Sequence, residues 1–341
     1  MPDLREWVDP CGLRVRMYGS GSPTWRDRIY ALGVAWTLFK ERRDYDVVYF
    51  LMQGLHLATG LPVARLLGKP IVMKFSCSGI IADMSKSWMG RLEIALLRKW
   101  ASKILVLNPG MAEEALQAGF DQARLGWMPN PVDTDYFRPC SPEERAQSRR
   151  ELNVGEEVPL VVFIGRLDHQ KKLPWLLGAF ARVVRERPDA VLALIGDGPL
   201  RAEIGELTAN LKLDRNVVFT GRVPTSGVLQ WLHAADTWTL VSELEGLPCS
   251  LIEAMSAGVA PVVSAIPAHT QLVDDDVEGL VTELGNEQSI ARALLRVLGD
   301  QVLRDRLGRA ARQRMLEQFS TSRVVDRYET LFTEYASVKP R

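Results

Sequence analysis

Residues 158–165 have the sequence VPLVVFIG, and residues 190–196 have the sequence AVLALIG. Both are short aliphatic runs that end at a glycine, as the buried strands of a parallel sheet do. Between them, apolar residues recur at helical spacing over residues 174–187. The same alternation continues through predicted strands at 216–221, 237–242 and 260–264. We therefore predict a doubly wound α/β domain in the second half of the chain.

The first half of the chain shows the same rhythm less regularly. Its predicted strands cover residues 13–18, 46–51, 70–76 and 103–108, separated by predicted helices at 24–41, 55–67 and 86–100. A proline-rich segment without periodicity, residues 128–144, follows and predicts a linker. The 341 residues are thus expected to form two Rossmann-like domains.

Composition excludes several classes of protein. With 47% hydrophobic and 25% charged residues, the chain is neither disordered nor fibrous. Lys plus Arg (42) equals Asp plus Glu (42), so no basic surface of a nucleic-acid-binding domain is indicated. The four cysteines form no CxxC pair, which argues against a zinc knuckle or a disulfide framework and favours a reducing cytoplasm. No signal peptide or membrane span is predicted.

The segment SELEGLPCSLIEAMSAG, residues 242–258, carries the clearest chemistry. Glu245 lies in a loop after a predicted strand, and Glu253 lies on the helix that follows. Between these carboxylates, backbone N–H groups at the start of the helix suit a phosphate, namely those of Leu247, Cys249 and Ser250. Carboxylates accept hydrogen bonds from hydroxyls, which fits a sugar on one side and a ribose on the other.

Two cations follow the first strand of the same predicted domain. Arg166 and Lys171 lie in the turn GRLDHQKK, residues 165–172. Ligands of open α/β sheets bind beyond the carboxyl ends of the strands, so these cations are placed to stabilise a diphosphate leaving group. Taken singly, each carboxylate and cation is also compatible with an ordinary solvated surface position. Their joint occurrence on strand-end turns of one domain favours a ligand site.

The sequence resembles the retaining family-4 glycosyltransferases of the GT-B fold, which transfer a sugar from a nucleotide-sugar donor. The resemblance is carried by VVFIGRLDHQKKLPWLLGAF (161–180), LALIGDGPLRAEI (192–204), NVVFTGRV (216–223) and AADTWTLVSELEGLPCSLIEAMSAGVAPVVSA (234–265). The upstream segment MPNPVDTDYF (128–137) looks like the stretch that leads into the family's linker. The resemblance implies an α/β GT-B fold, with two Rossmann-like doubly wound domains facing a central cleft.

The resemblance also implies roles for individual residues. Glu245 matches the first Glu of the family's E-x7-E motif, which holds the donor sugar, and Glu253 matches the second, which binds the ribose. Arg166 and Lys171 match the pair on the donor diphosphate, although Lys172 stands where many members have Gly. The implied catalytic set is Glu245, Arg166 and Lys171. The implied donor-binding set is Glu253, Gly165, Gly246, Leu247, Pro248, Cys249, Ser250 and Val223, the last near the base.

No metal or cofactor is implied, since the donor is itself the nucleotide diphosphate sugar. Residues 1–136 are expected to form the acceptor-side domain, and residues 137–321 the donor-binding domain. The helix 322–341 is expected to pack back on the acceptor-side domain.

The chain departs from the family at its start, because GLRVRMYG (residues 12–19) resembles the third strand rather than the first. The first βαβ unit is therefore incomplete, through either a truncated start or a rearranged sheet.

Several polar residues of the first half are acceptor-side candidates. One predicted strand ends in KFSCSG, where Ser76 or Cys77 stands in the place of a His that many relatives carry, and Lys74, Ser76 and Ser78 are the candidates there. His56 follows another predicted strand. His269, in IPAHTQLV, is expected either to face the cleft or to cap a helix at the surface. Residues 85–103 are basic and have an apolar stripe, so they fit either peripheral contact with an anionic membrane or packing over the sheet.

These observations predict a glycosyltransferase that moves a hexose with retention to a glycan, lipid or small-molecule acceptor, without a nucleic-acid partner. We expect a cytoplasmic protein of polysaccharide or glycolipid biosynthesis, with peripheral attachment to the inner face of the membrane as an alternative. Two other functions remain open. One is a GT-B nucleotide-sugar epimerase, and the other is a non-catalytic protein that binds nucleotide sugars or a partner.

Overall fold

The computed structural model describes residues 3–8, 14–19 and 23–337. The chain divides into two compact units, the first formed by Met1–Met128 with Asp326–Arg341 and the second by Pro129–Val325. Each unit contains its own parallel sheet with helices packed on it.

The sheet of the first unit has four parallel strands in the order β3-β4-β5-β6. These strands are β3 (Val48–Phe50), β4 (Ile71–Lys74), β5 (Lys103–Val106) and β6 (Leu125–Trp127). The helices that connect and precede them are α1 (Pro23–Lys40), α2 (Leu55–Leu66), α3 (Ile80–Ser85), α4 (Trp88–Trp100) and α5 (Pro109–Gln117). All four residues of β4 are buried, as expected for a strand inside a parallel sheet.

The predicted strand at residues 13–18 does not belong to this sheet. Residue 13 lies outside the described residues, and the rest falls in β2 (Arg14–Gly19), which pairs antiparallel with β1 (Asp3–Val8) in a separate two-stranded sheet. Placing it as a strand of a Rossmann-like sheet is therefore wrong. A short connection lets two neighbouring strands pair with each other locally, whereas a parallel pair needs a long crossover.

The last helix, α14 (Thr321–Ala336), belongs to the first unit from Asp326 onward. Its Tyr328 hydroxyl lies 3.0 Å from that of Tyr49 in β3, and the Tyr335 hydroxyl donates to the carbonyl of Ser102 at 3.1 Å. Phe332 packs edge-on against Tyr49, with ring centroids 5.4 Å apart. Residues 338–341 of the predicted helix 322–341 lie outside the described residues.

The second unit contains a six-stranded parallel sheet in the order β12-β11-β10-β7-β8-β9. Its strands are β7 (Leu160–Ile164), β8 (Val191–Ile195), β9 (Val217–Gly221), β10 (Thr237–Leu240), β11 (Pro261–Ser264) and β12 (Leu280–Thr282). Its helices are α6 (Pro142–Glu151), α7 (Leu173–Glu186), α8 (Arg201–Asn210), α9 (Thr225–Ala234), α10 (Cys249–Ser256), α11 (Pro267–Thr270), α12 (Glu287–Gly299) and α13 (Gln301–Gln318).

Glycines allow the chain to turn tightly at the carboxyl ends of β7 and β8. Gly196 has φ +136°, and a Cβ on it would lie 1.9 Å from the carbonyl oxygen of Gly165. No side chain fits there, so the two strand-end turns meet backbone to backbone. This close approach brings the turn at 165–172 beside the turn after β8.

The second unit begins at Pro129, earlier than the boundary predicted between residues 136 and 137. The intervening segment bonds to the second unit, because the Val132 amide donates to Phe319 at 2.9 Å. The Phe137 carbonyl accepts bonds from the Ser256 hydroxyl at 2.6 Å and from Arg312 at 3.0 Å. The predicted linker also contains the start of α6, which the Ser141 side chain caps.

Candidate functional site

The predicted site residues of the second unit lie on loops after β7, β9 and β10 and on the helix α10. Gly165, Arg166 and Val223 line one cavity of about 320 Å³ together with Ile164, Ile195, Gly196, Asp197, Arg222 and Val228. The cavity opens at the carboxyl ends of β7, β8 and β9, the edge where ligands of parallel sheets bind.

Lys171 and Glu245 form a largely buried ion pair beyond the same edge. The Lys171 Nζ donates to Glu245 Oε1 at 2.5 Å, and only 16% and 10% of the two side chains are exposed. The Ser242 hydroxyl donates to the same carboxylate oxygen at 2.6 Å. A cation and a hydroxyl from two different loops therefore hold this carboxylate in one orientation.

Two further contacts join the loop after β10 to the turn after β7. The Glu243 amide donates to the carbonyl of Gln170 at 3.0 Å, and the Glu243 carboxylate pairs with Lys172 Nζ at 2.6 Å. Lys172 has φ +48°, a left-handed conformation that glycine adopts most easily. This geometry explains why glycine suits the position, and it places Lys171, not Lys172, on Glu245.

Glu253 lies on α10 with its carboxyl group mostly removed from water. Burial raises its pKa to about 7. Within the described part of the chain, the Glu253 carboxyl group makes no hydrogen bond or ion pair. A desolvated carboxyl group without a protein partner is suited to accept hydrogen bonds from ligand hydroxyls.

The first turn of α10 follows directly on the Glu245 loop. Gly246, Leu247 and Pro248 are buried, whereas Cys249 is exposed and Ser250 is partly exposed. No side chain caps this helix at Pro248. Binding of an anion at this first turn, which the sequence suggests, stays a prediction.

Arg166 is an exposed member of the predicted set. Its side chain is 68% exposed, and its Nε lies 3.9 Å from the Asp168 carboxylate, a distance that makes only a weak pair. The guanidinium is therefore an exposed, weakly paired cation that lines the cavity, in contrast to the tightly paired Lys171.

His269 neither faces a cleft nor caps a helix at the surface. It is fully buried, with Nδ1 3.0 Å from the carbonyl oxygen of Ser264. Burial, with a smaller contribution from the positive charge of Lys171, lowers its pKa to about 4. His269 is therefore neutral and belongs to the packing behind the site.

The acceptor-side candidates all lie in the first unit. Lys74 is buried, and its Nζ donates to the Tyr328 hydroxyl of α14 at 3.0 Å. His56 packs against the rings of Tyr30 and Phe50, with centroids 5.3 and 6.0 Å away, and burial lowers its pKa. Ser76 is exposed. Lys74 and His56 are thus engaged in packing, and of the three only Ser76 is exposed.

The basic segment 85–103 contains α4. Ile94 and Leu97 face the interior of the first unit, whereas Trp88 is 67% and Leu92 is 42% exposed. No described helix combines the length and apolarity needed to cross a membrane. Among the residues that the structure describes, no three His, Cys, Asp or Glu side chains come together as a metal site would require.

Sequence reasoning missed Ser242 and Arg222. Ser242 stands three residues before Glu245, and its position at the end of a strand was the available signal. Arg222 follows the glycine that ends β9, as Arg166 follows the glycine after β7. Both strand-end arginines line the same cavity.

The matches to known proteins include the region that carries these site residues. Residues 144–314 match the family described as glycosyl transferases group 1. The chain is 29% identical to N-acetyl-alpha-D-glucosaminyl L-malate synthase of Bacillus anthracis over 197 residues, 58% of this chain and 50% of that one. It is 28% identical to phosphatidyl-myo-inositol mannosyltransferase of Mycobacterium tuberculosis over 328 residues, 87% of this chain and 76% of that one.

Among solved structures, Anabaena Alr3699/HepE in complex with UDP-glucose superimposes with a TM-score of 0.79 at 21% identity, covering 93% of this chain and 85% of that one. The predicted α/β fold of GT-B type is thereby confirmed. The first curated relatives are matched over about half of their length. The family match spans half of this chain, from α6 into α13, and includes Arg166, Lys171, Glu245 and Glu253. The chain thus belongs to the group 1 glycosyl transferases.

Proposed function

We propose that this chain is a retaining glycosyltransferase that moves a hexosyl group from a nucleotide diphosphate sugar to a glycan, lipid or small-molecule acceptor. The observation that carries the proposal is the buried Lys171 and Glu245 pair, which joins two strand-end loops beside the Arg166 cavity. A fixed carboxylate for sugar hydroxyls, cations for phosphates and a desolvated Glu253 are the groups that such a donor needs.

In the proposed complex, the diphosphate lies between Arg166, Lys171 and the first amides of α10. Lys171 then shares its charge between Glu245 and the phosphate, and Arg166 closes over the phosphates from its exposed position. The ribose hydroxyls donate to Glu253, and the base enters the cavity beside Val223. The cations stabilise the negative charge that develops as the diphosphate departs.

The proposed reaction retains the anomeric configuration. The acceptor hydroxyl attacks the anomeric carbon on the face from which the diphosphate leaves. The carbon–oxygen bond to the phosphate breaks, the new glycosidic bond forms, and the departing phosphate takes the proton of the acceptor. Glu245 accepts hydrogen bonds from the sugar hydroxyls and so positions the anomeric carbon. This proposed route uses no metal or cofactor and no protein nucleophile.

The first unit is the proposed acceptor side, with Ser76, Lys74 and His56 as candidate residues. One relative is named as a phosphatidyl-myo-inositol mannosyltransferase, which supports a lipid acceptor. The outward Trp88 and Leu92 beside basic residues support peripheral attachment through residues 85–103 to the inner membrane face. Under this proposal the protein acts in the cytoplasm in glycolipid or polysaccharide synthesis.

Product analysis tests this proposal. The chain is incubated with each candidate donor and with vesicles that contain phosphatidylinositol, and nucleotide release and the anomeric proton of the product are followed by NMR. We expect a glycosylated product with the donor's configuration, and no product from Glu245→Ala. An inverted product, or equal turnover by Glu245→Ala, contradicts the assignment. Donor epimerisation without acceptor indicates an epimerase, and binding without turnover indicates a non-catalytic protein.

A further inference from the structure

A buried chain of hydrogen bonds runs behind Glu245 and passes through the hydroxyls and the backbone carbonyls of Ser264 and Ser242. His269 Nδ1 lies 3.0 Å from the Ser264 carbonyl oxygen and 3.3 Å from the Ser264 hydroxyl. The Ser264 hydroxyl donates to the carbonyl of Ser242 at 2.6 Å, and the Ser242 hydroxyl donates to Glu245 Oε1 at 2.6 Å. His269, Ser264 and Ser242 are at most 1% exposed. The chain therefore operates without competition from bulk water.

The direction of each bond follows from the chemistry of the groups. Backbone carbonyls only accept, so Nδ1 of the neutral His269 carries the proton, and Ser264 gives its single hydroxyl proton to Ser242. The Ser242 hydroxyl proton points to the carboxylate of Glu245 for the same reason. Donation runs in one sense along the chain, from the interior toward the candidate site.

The Oε1 atom of Glu245 accepts hydrogen bonds from two donors that differ in side-chain flexibility. Lys171 has a long flexible side chain, whereas the Ser242 hydroxyl is carried one bond from its Cβ at the end of a buried strand. Two donors on a single carboxylate oxygen fix the plane of that carboxylate. When Lys171 turns toward a phosphate, Ser242 continues to hold this plane.

We propose that Ser242, supported by Ser264 and His269, is a positioning residue that orients the Glu245 carboxylate toward the hydroxyls of the donor sugar. The inference rests on the proposed function, in which Glu245 receives the sugar. Ser242 itself touches no substrate. Its loss leaves the donor site in place but lets the carboxylate rotate away from the geometry needed in the transition state.

Kinetics of Ser242→Ala test this role. We expect kcat to fall about 10- to 100-fold, because a catalytic group displaced by about 1 Å costs that much. The KM for the donor and the affinity for the nucleotide are expected to stay within about twofold, as for loss of an interaction made in the transition state. The matched control is Thr239→Val, since the buried Thr239 hydroxyl donates from the same strand to Val262 at 2.9 Å without reaching Glu245.

Ser264→Ala provides a second, independent variant. Because Ser264 acts through Ser242, its kcat loss is expected to be smaller, and the double variant is expected to lose no more than Ser242→Ala alone. Additive losses, a loss equal to that of Thr239→Val, or a change in KM alone would overturn the proposal. Glu245→Ala is measured in parallel: if it stays active, the proposed function fails, whereas an inactive Glu245→Ala with a fully active Ser242→Ala refutes only the positioning role.

Discussion

The two units use the polar residues at the carboxyl ends of their strands differently. In the second unit, Lys171, Ser242 and Glu245 meet across two loops and are held by one another. In the first unit, Lys74 donates to Tyr328 of the last helix, and His56 is packed against aromatic rings. A polar side chain at a strand end therefore indicates a site only where a neighbouring loop supplies its partner.

The largest expected effect distinguishes the largely buried Lys171 from the buried Lys74. We predict that Lys171→Met lowers the transfer rate by about 100-fold or more, because it removes a preorganised charge from the reacting phosphate. Lys74→Met is its counterpart in the first unit and is expected to lower thermal stability with little effect on nucleotide affinity. Initial rates, nucleotide titrations and melting curves of both variants test this contrast. Equal loss of nucleotide affinity in both variants would contradict the contrast.

Glu253 and Glu93 provide the next comparison, because burial raises the pKa of each to about 7. A carboxyl group with a raised pKa binds its proton more tightly in the folded state. The free energy of unfolding therefore falls as pH rises from about 4.5 to 7, by up to about 3 kcal/mol for Glu253. Denaturant titrations over this pH range are expected to show a flatter profile for Glu253→Gln.

Nucleotide binding is expected to change the pKa of Glu253 but not that of Glu93. Ribose hydroxyls that donate to Glu253 stabilise its charged form and lower its pKa, so nucleotide affinity is expected to rise with pH through 7. Glu93→Gln is expected to keep that pH dependence, and Glu253→Gln is expected to lose it. Calorimetry of both variants at pH 6 and pH 8 measures the difference. An unchanged pH dependence in Glu253→Gln would remove Glu253 from the donor site.

A smaller effect is expected at the cysteines. Cys249 is exposed at the first turn of α10, whereas Cys77 in the first unit is partly buried. We predict that nucleotide slows alkylation of Cys249 by about tenfold, since a bound phosphate covers that turn, and leaves Cys77 unaffected. Peptide mass spectrometry after timed alkylation reports both sites. The Cys249→Ala variant shows which phase of the alkylation time course belongs to Cys249. Equal protection at the two cysteines argues against a local site.

The smallest effect is expected at Lys172. Its left-handed backbone favours glycine, so Lys172→Gly relieves strain while losing the pair with Glu243. The strain that is relieved and the ion pair that is lost each change the free energy of the folded protein by about 1 kcal/mol, with opposite signs. We therefore predict that turnover stays within about twofold. Comparison of the steady-state rates of Lys172→Gly and Lys171→Met shows which lysine binds the phosphate. A large loss at Lys172 would reverse the assignment.

The second unit was largely predictable because its central strands are almost entirely buried. Runs such as residues 160–164 have no polar alternation, and the glycine that follows this strand locates the loop that carries Arg166. The hairpin at the N-terminus was not predictable, since strand period does not distinguish parallel from antiparallel pairing. The burial of His269 was missed because it depends on tertiary packing, which no local sequence pattern shows.

The central claim is that the loops of the second unit bind a nucleotide diphosphate sugar, and calorimetry with UDP-, GDP- and ADP-sugars tests it most directly. We predict that one donor class binds with one site per chain and that Arg166→Ala weakens this binding at least about tenfold, which is about 1.4 kcal/mol. Arg185→Ala, at an exposed arginine in the last turn of α7, is expected to leave the affinity unchanged. Absence of binding to every donor, or equal affinity of Arg166→Ala and the unaltered chain, would contradict the claim.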